Sequence, residues 1–152
     1  MARIVVALIF AGALAGAAGA SPANPPTFVR GVMTQLTAGS PEAAWKFLHP
    51  AHQKVAPRGQ FARCVRVMRG GSTARTKVTV ASWREVRINR REIPQQSGWS
   101  VRVVVTRHEG GVTLRENRGL EVVQVGSRLR WLLTRSTYDA YRHAPNSTFC
   151  PT

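Results

Sequence analysis

The chain predicts an α+β domain, N-terminal helices packed on an antiparallel sheet. Two observations carry this. From Phe28 to Met68 apolar residues recur at helical spacing, whereas from Val78 to Leu133 the period is two. The second is punctuation: Gly70-Gly71, Gly110-Gly111 and Gly126-Ser127 fall between periodic runs, where antiparallel chains reverse. Neither layer buries its apolar side alone, so the helices must cover one face of the sheet.

Residues 1–20 are set apart. Arg3 supplies a minimal positive start, Ile4 to Leu14 an apolar run, and Ala18-Gly19-Ala20 a small-residue cleavage site before Ser21. These features predict a secretory signal peptide, cleaved after Ala20, and a secreted protein. The alternative is an uncleaved membrane anchor, although Ile4 to Ala20 is at the short end for a bilayer span. The residue directly after the cleavage site is Ser21 rather than a cysteine, which argues against lipid anchoring. The proline-rich leader SPANPP, residues 21–26, is expected to be extended, and residues 27–152 form one domain.

The helical part has internal order. Phe28, Val29, Val32, Met33 and Leu36 make a stripe that Gly39 stops. Ser40 is placed to cap a second helix, with Pro41 at its first position and Glu42 near the positive end of its dipole. Ala44, Trp45 and Leu48 share a face. Pro50 removes an amide donor and turns His49 away from helix. His49 is then expected to close the preceding helix by satisfying its last carbonyls. Gln53 to Arg58 is expected as a linker. Phe61, Cys64, Val65 and Met68 stand at i, i+3, i+4 and i+7, with Arg63 and Arg66 off that stripe, so Cys64 points inward.

The strands follow. Val78, Val80, Val86 and Ile88 share one parity, and the apolar phase falters at Ser82–Trp83, which predicts a bend or bulge. Pro94 to Gly98 is expected to turn the chain. Trp99, Val101, Val103 and Val105 alternate with polar residues, and Glu109-Gly110-Gly111 makes a hairpin. Asn117 to Gly119 is expected to bulge or turn. Leu120–Val125 and Arg128–Thr134 form the last pair across Gly126-Ser127. Ser136 to His143 predicts a short helix with Tyr138 and Tyr141 on one side. Asn146-Ser147-Thr148 matches a glycosylation acceptor.

Export changes how the two cysteines are read. Oxidising compartments favour disulfides, and two cysteines allow one intrachain pairing, Cys64 with Cys150. Closing so long a loop stabilises by roughly 4–5 kcal/mol in the chain-entropy model. The alternative is a reactive thiol, which needs exposure and a nearby base that an apolar helix face does not offer.

Formal net charge is +15, and of 22 basic residues only Lys46, Lys54 and Lys77 are lysine. Such a chain suits anionic partners, an anionic surface polymer among them. The arginines are spread from Arg30 to Arg142 rather than packed in one run, which argues against dedicated nucleic-acid recognition.

The segments Ala44-Trp45-Lys46-Phe47-Leu48-His49-Pro50 and Arg58 to Cys64, with long strands ending at Leu129-Arg130-Trp131-Leu132-Leu133, resemble the NTF2-like family, which includes SnoaL-like and ketosteroid-isomerase-like members. The resemblance spans about Pro26 to Arg142. It implies a cone-like fold, a strongly curved sheet wrapped around N-terminal helices with a cavity between. Members include isomerases, dehydratases, hydrolases and cyclases, and also catalytically silent binding and assembly modules. The enzymes place an inward acid or a His–Asp pair in the cavity. The seven carboxylates here fall at turns, at a helix start or beside arginines. A non-catalytic binding module of unknown ligand is therefore expected. Its alternatives are a small-molecule isomerase or lyase using His49 and a tyrosine in the cavity, and a basic anion-binding surface protein.

The pocket candidates are Trp45, His49, Trp83, Arg84, Trp131, Tyr138 and Tyr141. Each aromatic has the plain alternative of filling core. Arg84 either points inward to anchor an acidic ligand or lies exposed beyond a bulge. His49 and His52 straddle Pro50 with no third ligand in view, so no metal or cofactor is expected. The expected partners are an apolar or acidic small ligand and a second copy joined through the sheet.

Overall fold

The computed structural model describes residues 24–70, 75–144, 146 and 148–151. The signal-peptide and cleavage-site expectations, most of the leader, Gly71 and Ser147 lie outside the described residues.

Helix α1 spans Pro25–Thr37, starting two residues inside the leader expected to be extended. Asn24 accepts the amide of Thr27 at 3.0 Å, and Pro25 takes the first helical position, where its missing N–H costs nothing. Helix α2 is Pro41–Lys46, capped by Ser40. Helix α3 is Pro50–Val55, so the expected linker is helical at Gln53 to Val55 and again at Arg58, leaving Ala56 and Pro57 between the helices. Pro50 begins this helix as well as ending the previous segment. The expected role of His49 is likewise corrected: its Nδ1 accepts the amide of Ala51 at 3.2 Å, capping the N-terminus of α3 rather than closing α2. Helix α4 is Arg58–Arg69 and stops at Gly70, whose φ of 65° is left-handed. Phe61, Cys64 and Val65 are buried as their spacing predicts, but Met68 is 61 % exposed, because the last turn of α4 reaches the mouth of a cavity.

Four strands follow as an antiparallel meander in the order β1-β2-β3-β4: β1 Arg75–Arg90, β2 Ile93–Glu109, β3 Val112–Val125 and β4 Arg128–Leu132. The sheet is open. Helix α5, Arg135–Arg142, is the last helix before the C-terminal tail, and Tyr138 and Tyr141 are its buried residues. The hairpins at Gly110-Gly111 and Gly126 use positive φ, as their glycines predict.

Two expected turns are strand instead. The β1–β2 reversal falls at Arg91-Glu92, and Pro94 to Gly98 belongs to β2. Pro94 is tolerated because the β1–β2 register is irregular between Ile88 and Arg90, and the β2–β3 ladder begins only at Gly98, so no ladder bond is lost. At Asn117–Gly119 the ladder also runs through, with Gly119 opposite Arg102.

The irregularity of β1 does fall where the apolar phase falters, between Val80 and Ser82. It moves every later side chain to the opposite face. Val78 and Val80 lie opposite Val105 and Val103 on the inner face. Val86 and Ile88 lie opposite Gly98 and Gln96 on the outer face, so the four do not share one side of the sheet.

The main core joins Val29, Leu48, Phe61 and Val65 of the helical layer to Val101, Val103, Val105, Val122 and Trp131 of the sheet. A second cluster, Ile88, Ile93, Val123 and Leu132, packs with Ala51 of α3 on the outer face. One end of the sheet is therefore covered on both sides. The loop before α3 also docks on the β4 edge: Trp131 donates its amide to the Phe47 carbonyl at 3.1 Å, and its carbonyl accepts from His49 at 3.0 Å. Its indole donates to the Ala44 carbonyl at 2.8 Å. Cys64 and Cys150 form a disulfide with Cα atoms 5.2 Å apart, and Gln60 donates to the Phe149 carbonyl at 2.9 Å beside it.

Candidate functional site

The helices and the inner face of the sheet do not meet everywhere. Between them lies a cavity of about 440 Å³, within the range of small-molecule sites. Strand alternation decides its walls. Val105 and Leu120 are inward positions of β2 and β3, and Met33, Phe61 and Val65 come from the facing stripes of α1 and α4. Trp131, Leu133 and Tyr141 complete the apolar interior.

The same alternation sets the rim. Continuing the inward parity of β2 and β3 past the core brings Arg107, Glu116 and Arg118 to the mouth, joined by Arg69 from α4. Arg118 pairs with Glu116. Arg69 is held against the end of α1, donating to the carbonyls of Leu36 at 2.7 Å, Gly39 at 2.8 Å and Gln35. Burial, then the nearby charges of Arg66 and Arg107, pull its pKa down. Arg107 has no ion-pair partner among the described residues. The mouth is thus a cluster of guanidiniums that favours an anion.

Of the residues named from the sequence, Trp131 and Tyr141 line this cavity. Burial pushes the Tyr141 hydroxyl up to about 12. Trp45 is half-buried against the core and donates its indole to the Ala56 carbonyl at 2.8 Å. Trp83 is 54 % exposed, and Arg84 is exposed beyond the bulge, opposite Ser100 on the outer face. Tyr138 packs on the ring of His52, centroids 4.9 Å apart. His49 sits on the loop that docks on β4, outside the cavity wall. Its burial, then the charge of Arg130, lowers its pKa.

The sequence did not single out His52 and Glu92 as a pair. His52 is completely buried; its Nδ1 accepts the Leu133 amide at 2.9 Å and its Nε2 faces Glu92 at 3.1 Å. Burial lowers its pKa to about 4, against the opposing pull of Glu92. The available signal was Pro50: a helix starting there puts His52 on its first turn, facing inward. The pair is not part of the cavity wall. Among the described residues no three His, Cys, Asp or Glu side chains converge as metal ligands, and no helix is long and apolar enough to cross a membrane.

No family model, curated protein or solved structure matches the chain.

Proposed function

We propose that this protein is an exported, non-catalytic binding module of the NTF2-like kind, whose cavity takes a small ligand with an apolar body and one acidic head. The observation that carries the reading is the cavity itself: Met33, Phe61, Val65, Val105 and Leu120 inside, and Arg107 with Arg69 and Arg118 at its mouth. An apolar body gains from leaving water, and a carboxylate at the mouth meets a guanidinium that has no ion-pair partner there. Helices preceding a long antiparallel meander support the family resemblance. The Cys64–Cys150 disulfide supports an oxidising compartment.

Acid–base catalysis in the cavity needs a suitable pair facing it. The His52–Glu92 pair is turned elsewhere, and Glu116 is engaged by Arg118. This arrangement favours holding a ligand over transforming it.

The test is binding of dodecanoate and dodecanol to the exported protein, followed by tryptophan fluorescence, with native mass spectrometry for copurified ligand. Dodecanoate should bind at micromolar concentration, dodecanol more weakly, and Arg107→Gln should weaken the acid alone by about ten-fold or more, the range for a hydrogen bond to a charged group. Equal affinity for acid and alcohol would remove the acidic head. Failure of both ligands to bind, with an empty protein by mass spectrometry, would remove the cavity reading.

A further inference from the structure

The outer face of the sheet carries a second pattern. Its orientation follows from the register: Lys77, Thr106 and Arg115 lie opposite one another across three strands, as do Arg75, His108 and Thr113. The His108 ring meets the Thr113 hydroxyl at 2.9 Å, as neighbours on one face must. Arg102 shares this face, and the bulge after Val80 places Arg84 there as well. Arg75, Lys77, Arg84, Arg102 and Arg115 are all exposed, and among the described residues none has an ion-pair partner. The carboxylate on this face, Glu121, is taken by Arg90. The helices cover the opposite face, and the outer cluster with Ala51 occupies only the end near Val123.

We infer that this outer face binds a linear anionic polysaccharide. Arg75 and Lys77 stand about 7 Å apart along β1 and Lys77 and Arg115 about 10 Å apart across two strands, while Arg84 and Arg102 stand singly. That is sparse compared with duplex DNA, which carries a charge about every 1.7 Å. Between the cations stand Thr79, Ser100, Thr106 and Asn117, donors and acceptors suited to sugar hydroxyls. Among the face's described residues there is no Trp, Tyr or Phe to stack a base, and the imidazole of His108 is held to Thr113 at its end. Val104, its apolar residue between the cations, is half-buried and offers no wedge to a bilayer. This surface is independent of the cavity, and neither needs the other.

The test uses the exported protein with heparin oligosaccharides, alginate and uncharged dextran, alongside a single-stranded oligonucleotide and phosphatidylglycerol vesicles, over a salt series. One variant combines Lys77→Gln, Arg102→Gln and Arg115→Gln. A second removes equal charge elsewhere, through Arg58→Gln, Arg135→Gln and Arg142→Gln. The face variant should bind the anionic polysaccharides at least ten-fold more weakly at low salt. Its salt dependence should flatten by about two units of slope, following counterion release. The control variant should stay within three-fold. If the face variant melts early, Arg102→Gln and Arg115→Gln alone carry the comparison. Equal losses in both variants would mean diffuse charge and overturn the proposal. So would tighter binding of the oligonucleotide or vesicles than of the polysaccharides, or no polysaccharide binding at low salt.

Discussion

The imidazole of His52 accepts the backbone N–H of Leu133 at 2.9 Å. That bond leaves the ring proton on Nε2, which donates to Glu92 at 3.1 Å. One buried ring thereby ties α3 to the end of β4 and to the β1–β2 turn. Protonating Nδ1 breaks the Leu133 bond and puts charge beside the Tyr138 ring.

Burial holds the folded pKa of His52 near 4, below its ordinary 6.5. The unfolded chain therefore binds more protons between those values. Stability present above the unfolded pKa is lost as pH falls towards the folded one, by roughly 3 kcal/mol at most. Urea midpoints should fall over this window. In His52→Gln that slope should flatten, even though the variant starts from a lower plateau. A slope unaltered by the substitution would assign the acid sensitivity to other groups.

Removing the disulfide frees a long stretch of unfolded chain, since its cysteines are 86 residues apart. Replacing Cys64 and Cys150 together by serine should cost about 4–5 kcal/mol in the chain-entropy model. The bond also seats the Phe149 carbonyl against Gln60. Hydrogen exchange should show the C-terminal tail losing protection before α4 does. Simultaneous loss throughout the domain would show that the tail and the helix layer unfold as one unit.

Gly98 sits where β2 passes beneath the outer cluster. A Cβ there would lie 2.5 Å from the Val122 carbonyl oxygen and 2.8 Å from Ile88 Cγ1. The carbonyl belongs to the neighbouring strand and cannot step aside. Gly98→Ala should destabilise by about 1–3 kcal/mol, the usual cost of overpacking. Gly119→Ala, with nothing within 4 Å of the added carbon, is the control. Equal melting of the two variants would show that the ladder yields at Gly98.

Much of the fold was legible because it is written in local chemistry. Ser40-Pro41, the Phe61–Cys64–Val65 stripe and the glycines at 110, 111 and 126 each act within one turn of chain. The site was less so. Trp131 and Tyr141 could be named as candidates, but Arg107 and Arg118 owe their place to register with β3, a long-range pairing. His52 and Glu92 are 40 residues apart and meet only after α3 folds against the β1–β2 turn.

By itself the sequence determined the order of elements, helices before strands, and the one intrachain pairing that two cysteines allow. Those follow from periodicity and counting, which need no neighbours. The tertiary structure alone decided which face each strand residue occupies after the bulge in β1. A one-residue insertion flips every later side chain, and only pairing with β2 shows where it falls. That flip sends Arg84 to the basic outer face instead of the interior.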